Sequence, residues 1–249
     1  MRALRVVVII GVVLGALLAG ADRWAVGYAE NRLAERVQQA GQGQVGGAEV
    51  EIHGFPFLTQ ALSRDLDRVD LKLTDVEATA DGRKTRLSRL DASFHGVKID
   101  GNYSGGTADR AEGTALITYA DLTAASQSDG VTLTYGGTPG KVKVTAKVDV
   151  LGRKLTRSVV SSVTLVDAPD SKGGKGGKGG KSGKIVRVRA DQVPGEGVPG
   201  IEGMIRKKTD FDRRLEDGLP AGLQLSALTS DEAGVHLTLG GTNVALAGS

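Results

Sequence analysis

Very few residues in this chain have the type and spacing that catalysis or metal binding requires. The three histidines, His53, His95 and His236, do not fall at ligand spacing from one another. Because the chain contains no cysteine, a zinc site would have to draw on scattered carboxylates. Ser104 lies among glycines, but residues 101–106 lack the G-x-S-x-G pattern of a nucleophile elbow. We therefore expect no catalytic residue, no metal site and no cofactor.

Two glycine-rich segments resemble nucleotide-binding loops without their essential parts. Residues 195–200 match G-x-G-x-x-G, but Pro194 and Pro199 lack the N–H groups that would hold a pyrophosphate, and too few residues follow for a dinucleotide fold. Residues 180–182 read G-K-S, but the first glycine of a phosphate loop would be residue 175, which is lysine. The sequence predicts a Pro/Gly loop and a linker at these two places.

The most distinctive apolar cluster follows His53, where Phe55, Pro56, Phe57 and Leu58 are consecutive. Proline fixes its own backbone and restricts the residue before it, so the two rings are held in a rigid turn. Such a turn either plugs the core at the mouth of a sheet or forms an apolar lip that contacts lipid. We take these four residues as the candidate lipid-binding site.

A lysine-rich and glycine-rich segment, residues 171–184, accounts for the basic character of the chain. Without its five lysines the formal net charge changes from +3 to −2, so the body of the protein offers no general surface for nucleic acid. The segment is either a solvated flexible linker or a contact for anionic lipid headgroups. The candidate contacts are Lys172, Lys175, Lys178, Lys181 and Lys184.

The N-terminal residues have the composition of an export signal or a membrane anchor. Arg2 and Arg5 precede an uncharged apolar run over residues 6–21, which ends in the cleavage-like pattern A-G-A. Trp24 and Tyr28 follow directly, and aromatic residues suit the membrane interface of an uncleaved anchor. Both alternatives predict a protein on the extracytoplasmic side of the cell membrane, in the cell envelope, or secreted.

Periodicity predicts the elements that would position these residues. Apolar residues at helical spacing predict an amphipathic helix over residues 26–37 and a second helix over residues 201–215. Alternating apolar residues predict half-buried strands between them. These predicted strands centre on residues 50–52, 69–73, 90–99, 115–119, 131–135, 141–150, 159–166, 184–190, 223–228, 235–239 and 244–246. The predicted fold is α+β: residues 22–249 form one domain, a long twisted antiparallel sheet curled against the N-terminal helix.

Several of these segments occur together in a known family. The G-F-P-F-L-T-Q block at residues 54–60, Y-A-D-L at 119–122, L-P-A-G-L at 219–223 and G-V-H-L at 234–237 resemble the LmeA-like phospholipid-binding family of the actinobacterial cell envelope. The resemblance implies an envelope protein that binds membrane phospholipids and supports assembly of envelope lipids or glycolipids, without known catalysis. Residues 172–184 are not part of that pattern.

These expectations lead to two hypotheses. In the first, the sheet and helix form an apolar groove for an acyl chain, with the turn at Phe55, Pro56, Phe57 and Leu58 at its entrance. The protein is then a lipid carrier or sensor whose partners are phospholipids and the membrane surface. In the second, the sheet is only a core, and the protein is a structural or scaffolding envelope protein with an unidentified protein partner. An envelope hydrolase would need a catalytic set that the sequence lacks.

Overall fold

The structure is a computed structural model that describes residues 2–41, 44–80, 83–101, 105–126, 130–150, 153–167, 184–191, 211–214 and 221–247. The helices in these ranges are α1 Arg2–Ala40, α2 Phe57–Ser63 and α3 Tyr119–Ala125. The strands are β1 Gly47–His53, β2 Asp65–Ala80, β3 Arg83–Ile99, β4 Gly105–Ile117, β5 Val131–Tyr135, β6 Lys141–Val150, β7 Arg153–Asp167, β8 Lys184–Ala190, β9 Phe211–Arg214, β10 Leu223–Ser230 and β11 Val235–Ala247. The α+β class is confirmed.

Helix α1 is a single helix of 39 residues that includes the predicted amphipathic segment. Among the residues of α1 whose side chains are described, the first buried one is Asp22 and the next is Val26. The preceding Leu14, Leu17 and Leu18 are exposed. The helix ends at Ala40, before the glycine-rich stretch that was predicted to end it. The sequence boundary at residue 21 is therefore crossed by continuous helix.

The strands form two antiparallel sheets, and this corrects the prediction of one long sheet. A six-stranded sheet has the order β1-β2-β3-β4-β11-β10, and a five-stranded sheet has the order β5-β6-β7-β8-β9. Alternating patterns predicted where strands lie because they report which face of a strand is buried. They do not report which strands pair, and the chain changes sheets at α3, between β4 and β5.

Two hydrophobic clusters hold these layers together. In the first, Val26 of α1 and Phe57 of α2 pack on Val50, Ile52 and other residues of the six-stranded sheet. The second cluster lies between the two sheets and includes residues from both. Its buried members are Val142, Val163, Val186, Val188, Leu225 and Val235. Helices α1 and α2 therefore pack on the first cluster, whereas Tyr119 and Leu122 of α3 pack against the second.

The second predicted helix is wrong over its last part. Phe211 pairs with Val188 and Arg214 with Ile185, so residues 211–214 form an edge strand rather than a helix. In F-D-R-R the alternation is too short to stand out from the helical spacing around it, and pairing with β8 decides the conformation. Residues 201–210 of the prediction lie outside the described residues.

Helices α2 and α3 were not predicted, although α3 has a recognisable start. Thr118 accepts a hydrogen bond from the Asp121 backbone N–H at 3.2 Å, the geometry of a helix N-cap. The T-x-x-D spacing is a known signature of such a start. The strand predicted over residues 115–119 therefore ends at Ile117, and Tyr119 begins the helix.

Candidate functional site

The apolar turn of residues 54–60 is tied to helix α1 by a buried carboxylate. Asp22 is 2% exposed, and its Oδ1 accepts a hydrogen bond of 2.8 Å from the Leu58 backbone N–H in the first turn of α2. Burial alone would raise the pKa of the Asp22 carboxyl. The N–H groups of Leu58 and Phe57, with the Arg23 guanidinium, outweigh burial and hold that pKa below its ordinary value. Asp22 thus acts as an N-cap for α2 from another helix.

The turn itself requires a glycine. Gly54 has φ of +109°, a conformation that other residues rarely adopt, and an added Cβ would lie 2.2 Å from the Gln60 Nε2. Gln60 is buried, and its Oε1 accepts a hydrogen bond of 2.8 Å from the Asp67 backbone N–H. The glycine and the glutamine of the G-F-P-F-L-T-Q block therefore close the turn and fix α2 to β2.

A groove opens between α1, α2 and the strands beneath them, with a volume of about 620 Å³. Ligand pockets in proteins typically have volumes of about 300–1,000 Å³. The residues that line it are Tyr28, Ala29, Arg32, Leu33, Glu35, Arg36, Gln39, Ile52, Phe57, Ala61, Leu66 and Ile99. The groove is therefore large enough for part of a long flexible ligand.

The two sides of this groove differ in chemistry. The lining residues from α2 and the strands are all apolar: Ile52, Phe57, Ala61, Leu66 and Ile99. Every polar lining residue comes from α1, and these are Tyr28, Arg32, Glu35, Arg36 and Gln39. A ligand that fits both sides must be amphipathic, with a long apolar part and a polar group on the side of α1.

The exposed large hydrophobic residues are also concentrated here. Among residues with described side chains, all of them lie on α1 or between residues 55 and 62. Leu62 is 86% exposed and Trp24 74% exposed. Leu58 and Leu62 are one helical turn apart and share the outer face of α2, whereas Phe57 and Ala61 on the same helix line the groove. One wall of the groove therefore carries an apolar outer surface, which we call the apolar face (Phe55, Leu58 and Leu62).

The four predicted lipid-site residues have two different roles in this arrangement. Phe55, Pro56 and Leu58 are exposed, whereas Phe57 is 8% exposed and belongs to the first hydrophobic cluster. Phe57 therefore has the position of the core plug that the sequence offered as one alternative, and Phe55 and Leu58 are exposed apolar side chains whose contact with lipid stays a prediction. The Arg23 guanidinium lies 5.6 Å from the centre of the Phe55 ring and supports it against the middle of α1.

The lysine-rich segment contributes little to the described structure. Lys172, Lys175, Lys178 and Lys181 lie outside the described residues, as do the glycine-rich segments 180–182 and 195–200 and Ser104. Lys184 is the first residue of β8, and its Nζ lies 3.3 Å from the Asp167 carboxylate. Lys184 thus belongs to a sheet and to an ion pair rather than to the predicted flexible loop.

Sequence reasoning did not identify the polar side of the groove. Arg32 and Arg36 lie between the apolar positions of the predicted amphipathic helix, and nothing in their spacing singles them out as binding residues. Leu33 belongs to the apolar stripe of the helix, yet it is 37% exposed over the groove. This exposure depends on tertiary packing and cannot be read from the sequence. Only the packing of α2 beside α1 shows that a cavity lies between them.

One cluster of possible metal ligands is already neutralised by cations. Ligand atoms of Glu51, His53 and Asp70 lie within 4.8 Å of one another. Arg68 donates to both oxygens of Asp70, at 2.8 and 2.6 Å, and the Lys72 Nζ lies 2.6 Å from the Glu51 carboxylate. Since these carboxylates are paired with an arginine and a lysine, we interpret the cluster as an ion-pair network on the surface of β1 and β2.

This network predicts a dependence of stability on acid pH. The Arg68 guanidinium is the main cause that lowers the pKa of Asp70 from 3.8 to about 2. A lowered pKa means that the carboxylate stabilises the fold fully above about pH 4 and loses this contribution as the pH falls towards 2. After allowance for solvent screening, we expect Asp70→Asn to remove about 1 kcal/mol of this pH-dependent stability.

Urea unfolding of wild type and Asp70→Asn between pH 2 and 7 measures this effect. The variant should show a shallower loss of stability below pH 4 than the wild type. Asp109→Asn, in an exposed ion pair with Lys98, is the control. Parallel pH profiles for wild type and Asp70→Asn would contradict the prediction.

The comparisons with known proteins agree with an amphipathic ligand. A family model described as LmeA-like phospholipid-binding matches residues 20–240. No curated protein and no solved structure matches the chain. Within the part of the chain whose side chains are described, no helix is both long and apolar enough to cross a membrane.

Proposed function

We propose, because this chain belongs to the LmeA-like phospholipid-binding family, that the groove between α1, α2 and the six-stranded sheet holds an acyl chain of a membrane phospholipid. The observation that carries this proposal is the apolar side of the groove, formed by α2 and the strands. Burial of an acyl chain there stabilises the complex by about 0.8 kcal/mol per methylene. Part of one chain is therefore enough for stable binding.

The apolar face provides a route for the lipid into the groove. Leu58 and Leu62 lie on α2, which lines the groove through other residues, and Phe55 comes just before that helix. Exposed apolar surface of this kind enters the membrane interface, where aromatic and aliphatic side chains leave water. In this proposal α2 contacts the bilayer, and the acyl chain passes beside it into the groove.

We further propose that the protein is exported and works at the outer surface of the membrane or within the envelope. The support is the composition of the first twenty-one residues, where Arg2 and Arg5 precede an apolar run. Binding without catalysis, as a carrier or sensor in the assembly of envelope lipids or glycolipids, is the corresponding role. His53 directly precedes the apolar turn of residues 54–60, and it takes part in the ion-pair network with Asp70.

Lipid retention tests this function directly. Residues 22–249, produced in bacteria and purified without added lipid, should carry about one phospholipid per chain in native mass spectrometry. The same protein should take phospholipid from vesicles in a flotation assay. A chain that folds but retains no phospholipid and does not bind vesicles would favour the alternative, a scaffolding protein whose apolar face binds another protein.

A further inference from the structure

Two arginines on α1 give the groove a charged rim, which we call the arginine rim (Arg32 and Arg36). They lie four residues apart, about 6 Å along the helix, so both project over the same side of the groove. The only acidic residue that lines the groove is Glu35. The groove lining is therefore net positive, although the body of the chain without its lysine-rich segment is acidic.

Neither guanidinium has partners for all of its N–H groups among the described residues. The Arg32 Nε lies 3.3 Å from the Tyr28 hydroxyl and its Nη1 lies 3.3 Å from the Glu35 carboxylate, both long contacts on an exposed side chain. Arg36 makes no hydrogen bond or ion pair with any described residue. Like charges four residues apart destabilise a helix. A bound anion between the two side chains would remove that repulsion.

We propose that the arginine rim binds the phosphate group of the lipid whose acyl chain lies in the groove. Guanidinium groups bind phosphate through paired N–H donors, with a geometry that an ammonium group lacks. The split lining fits this ligand: the strands and α2 contact the acyl chain, while α1 contacts the phosphodiester. This inference rests on the proposed function, since the acyl chain is what places the phosphate at α1.

The two sides of the groove distinguish a phospholipid from a neutral lipid and from a soluble phosphate compound. A diacylglycerol would fill the apolar side but leave the arginine rim without a partner. A soluble phosphate compound would meet the rim without using the apolar side. A lipid that carries phosphate uses both sides, so we expect phosphate and acyl chain to contribute to affinity together.

Competition between two lipids with the same acyl chains tests this inference. The full chain is incubated in detergent micelles with equal amounts of palmitoyl-oleoyl phosphatidylglycerol and palmitoyl-oleoyl diacylglycerol, and native mass spectrometry counts each bound lipid. Wild type should retain the phospholipid in at least about tenfold excess. Arg36→Gln should lower this ratio about threefold while diacylglycerol binding persists. Arg32→Gln with Arg36→Gln should bring the ratio close to one.

A matched control removes the same charge elsewhere. Arg89 is exposed on β3, does not line the groove and has no ion-pair partner among the described residues. Arg89→Gln should leave the lipid ratio unchanged, and an equal loss in this control would overturn the proposal in favour of a net-charge effect. Because Arg36 makes no contact with a described polar group, Arg36→Gln should melt at the wild-type temperature.

The remaining outcomes distinguish failure of the phosphate site from failure of the proposed function. Equal retention of both lipids by wild type, or an unchanged ratio in Arg36→Gln, would overturn the phosphate site while leaving acyl-chain binding intact. Retention of neither lipid by wild type would contradict the proposed function itself. Displacement of the phospholipid by glycerol phosphate at a similar concentration would overturn the lipid source and indicate a site for soluble phosphates.

Discussion

Replacement of Phe55, Leu58 and Leu62 together by serine is expected to weaken vesicle binding of residues 22–249 by about 100-fold or more. Leu62 is 86% exposed and Phe55 65% exposed, so most of this apolar surface faces water in the free protein. Its transfer to a bilayer contributes about 3–6 kcal/mol, and each 1.4 kcal/mol is tenfold in affinity. Sedimentation with phosphatidylglycerol vesicles at constant salt measures the change.

Two further variants test whether the loss of vesicle binding is specific to the apolar face and is not caused by unfolding. Leu223→Ser removes apolar surface from β10, away from both helices, and should leave vesicle binding unchanged. Phe57→Ser, in contrast, should destabilise the fold by about 3 kcal/mol or more, because Phe57 is buried in the first hydrophobic cluster. A triple variant that melts like wild type yet binds vesicles equally well would show that the apolar face has another partner.

Filling the groove is the second change with a large expected effect. Leu33 of α1 and Ala61 of α2 both line the groove, and Leu33→Trp with Ala61→Phe would place two rings inside it. If these rings exclude about three methylenes of an acyl chain, binding loses about 2.4 kcal/mol. That loss corresponds to about 50-fold in affinity, measured as lipid retained per chain by native mass spectrometry.

The control for this change adds the same rings outside the groove. Asn31 and Thr59 are exposed on the same two helices and do not line the groove. Asn31→Trp with Thr59→Phe should therefore retain lipid like wild type. Undiminished lipid retention in the filled variant, with an unchanged melting temperature, would show that the acyl chain lies elsewhere.

The sequence predicted most strands because their cause is local. In β6, for example, alternating valines and lysines require one buried and one exposed face whatever the neighbours are. The separation into two sheets depends on pairing between distant segments, such as β4 with β11, which is not encoded in any single strand. The short strand at Phe211 illustrates the same limit, since only its pairing with β8 distinguishes it from a helix.

The candidate site was predicted in part for similar reasons. The residue types of the apolar turn identified where lipid contact is expected, because a run of F-P-F-L is unusual in any loop. The opposite exposure of Phe55 and Phe57 depends on how α2 packs against α1 through the buried Asp22, thirty-six residues away from Leu58. The arginine rim has no local signature at all, since charged residues on an amphipathic helix are ordinary until a cavity lies beside them.

Because α1 is continuous, it fixes the distance between the N-terminal residues and the groove. A helix of 39 residues is about 58 Å long, and α1 has no break between its first turns and the arginine rim. Arg36 lies about 22 Å along this helix from Ala21. The position of residues 2–21 therefore determines the position of Arg36. If residues 2–21 are held at a membrane surface, as we propose, the intact helix keeps the groove at a fixed distance from that surface.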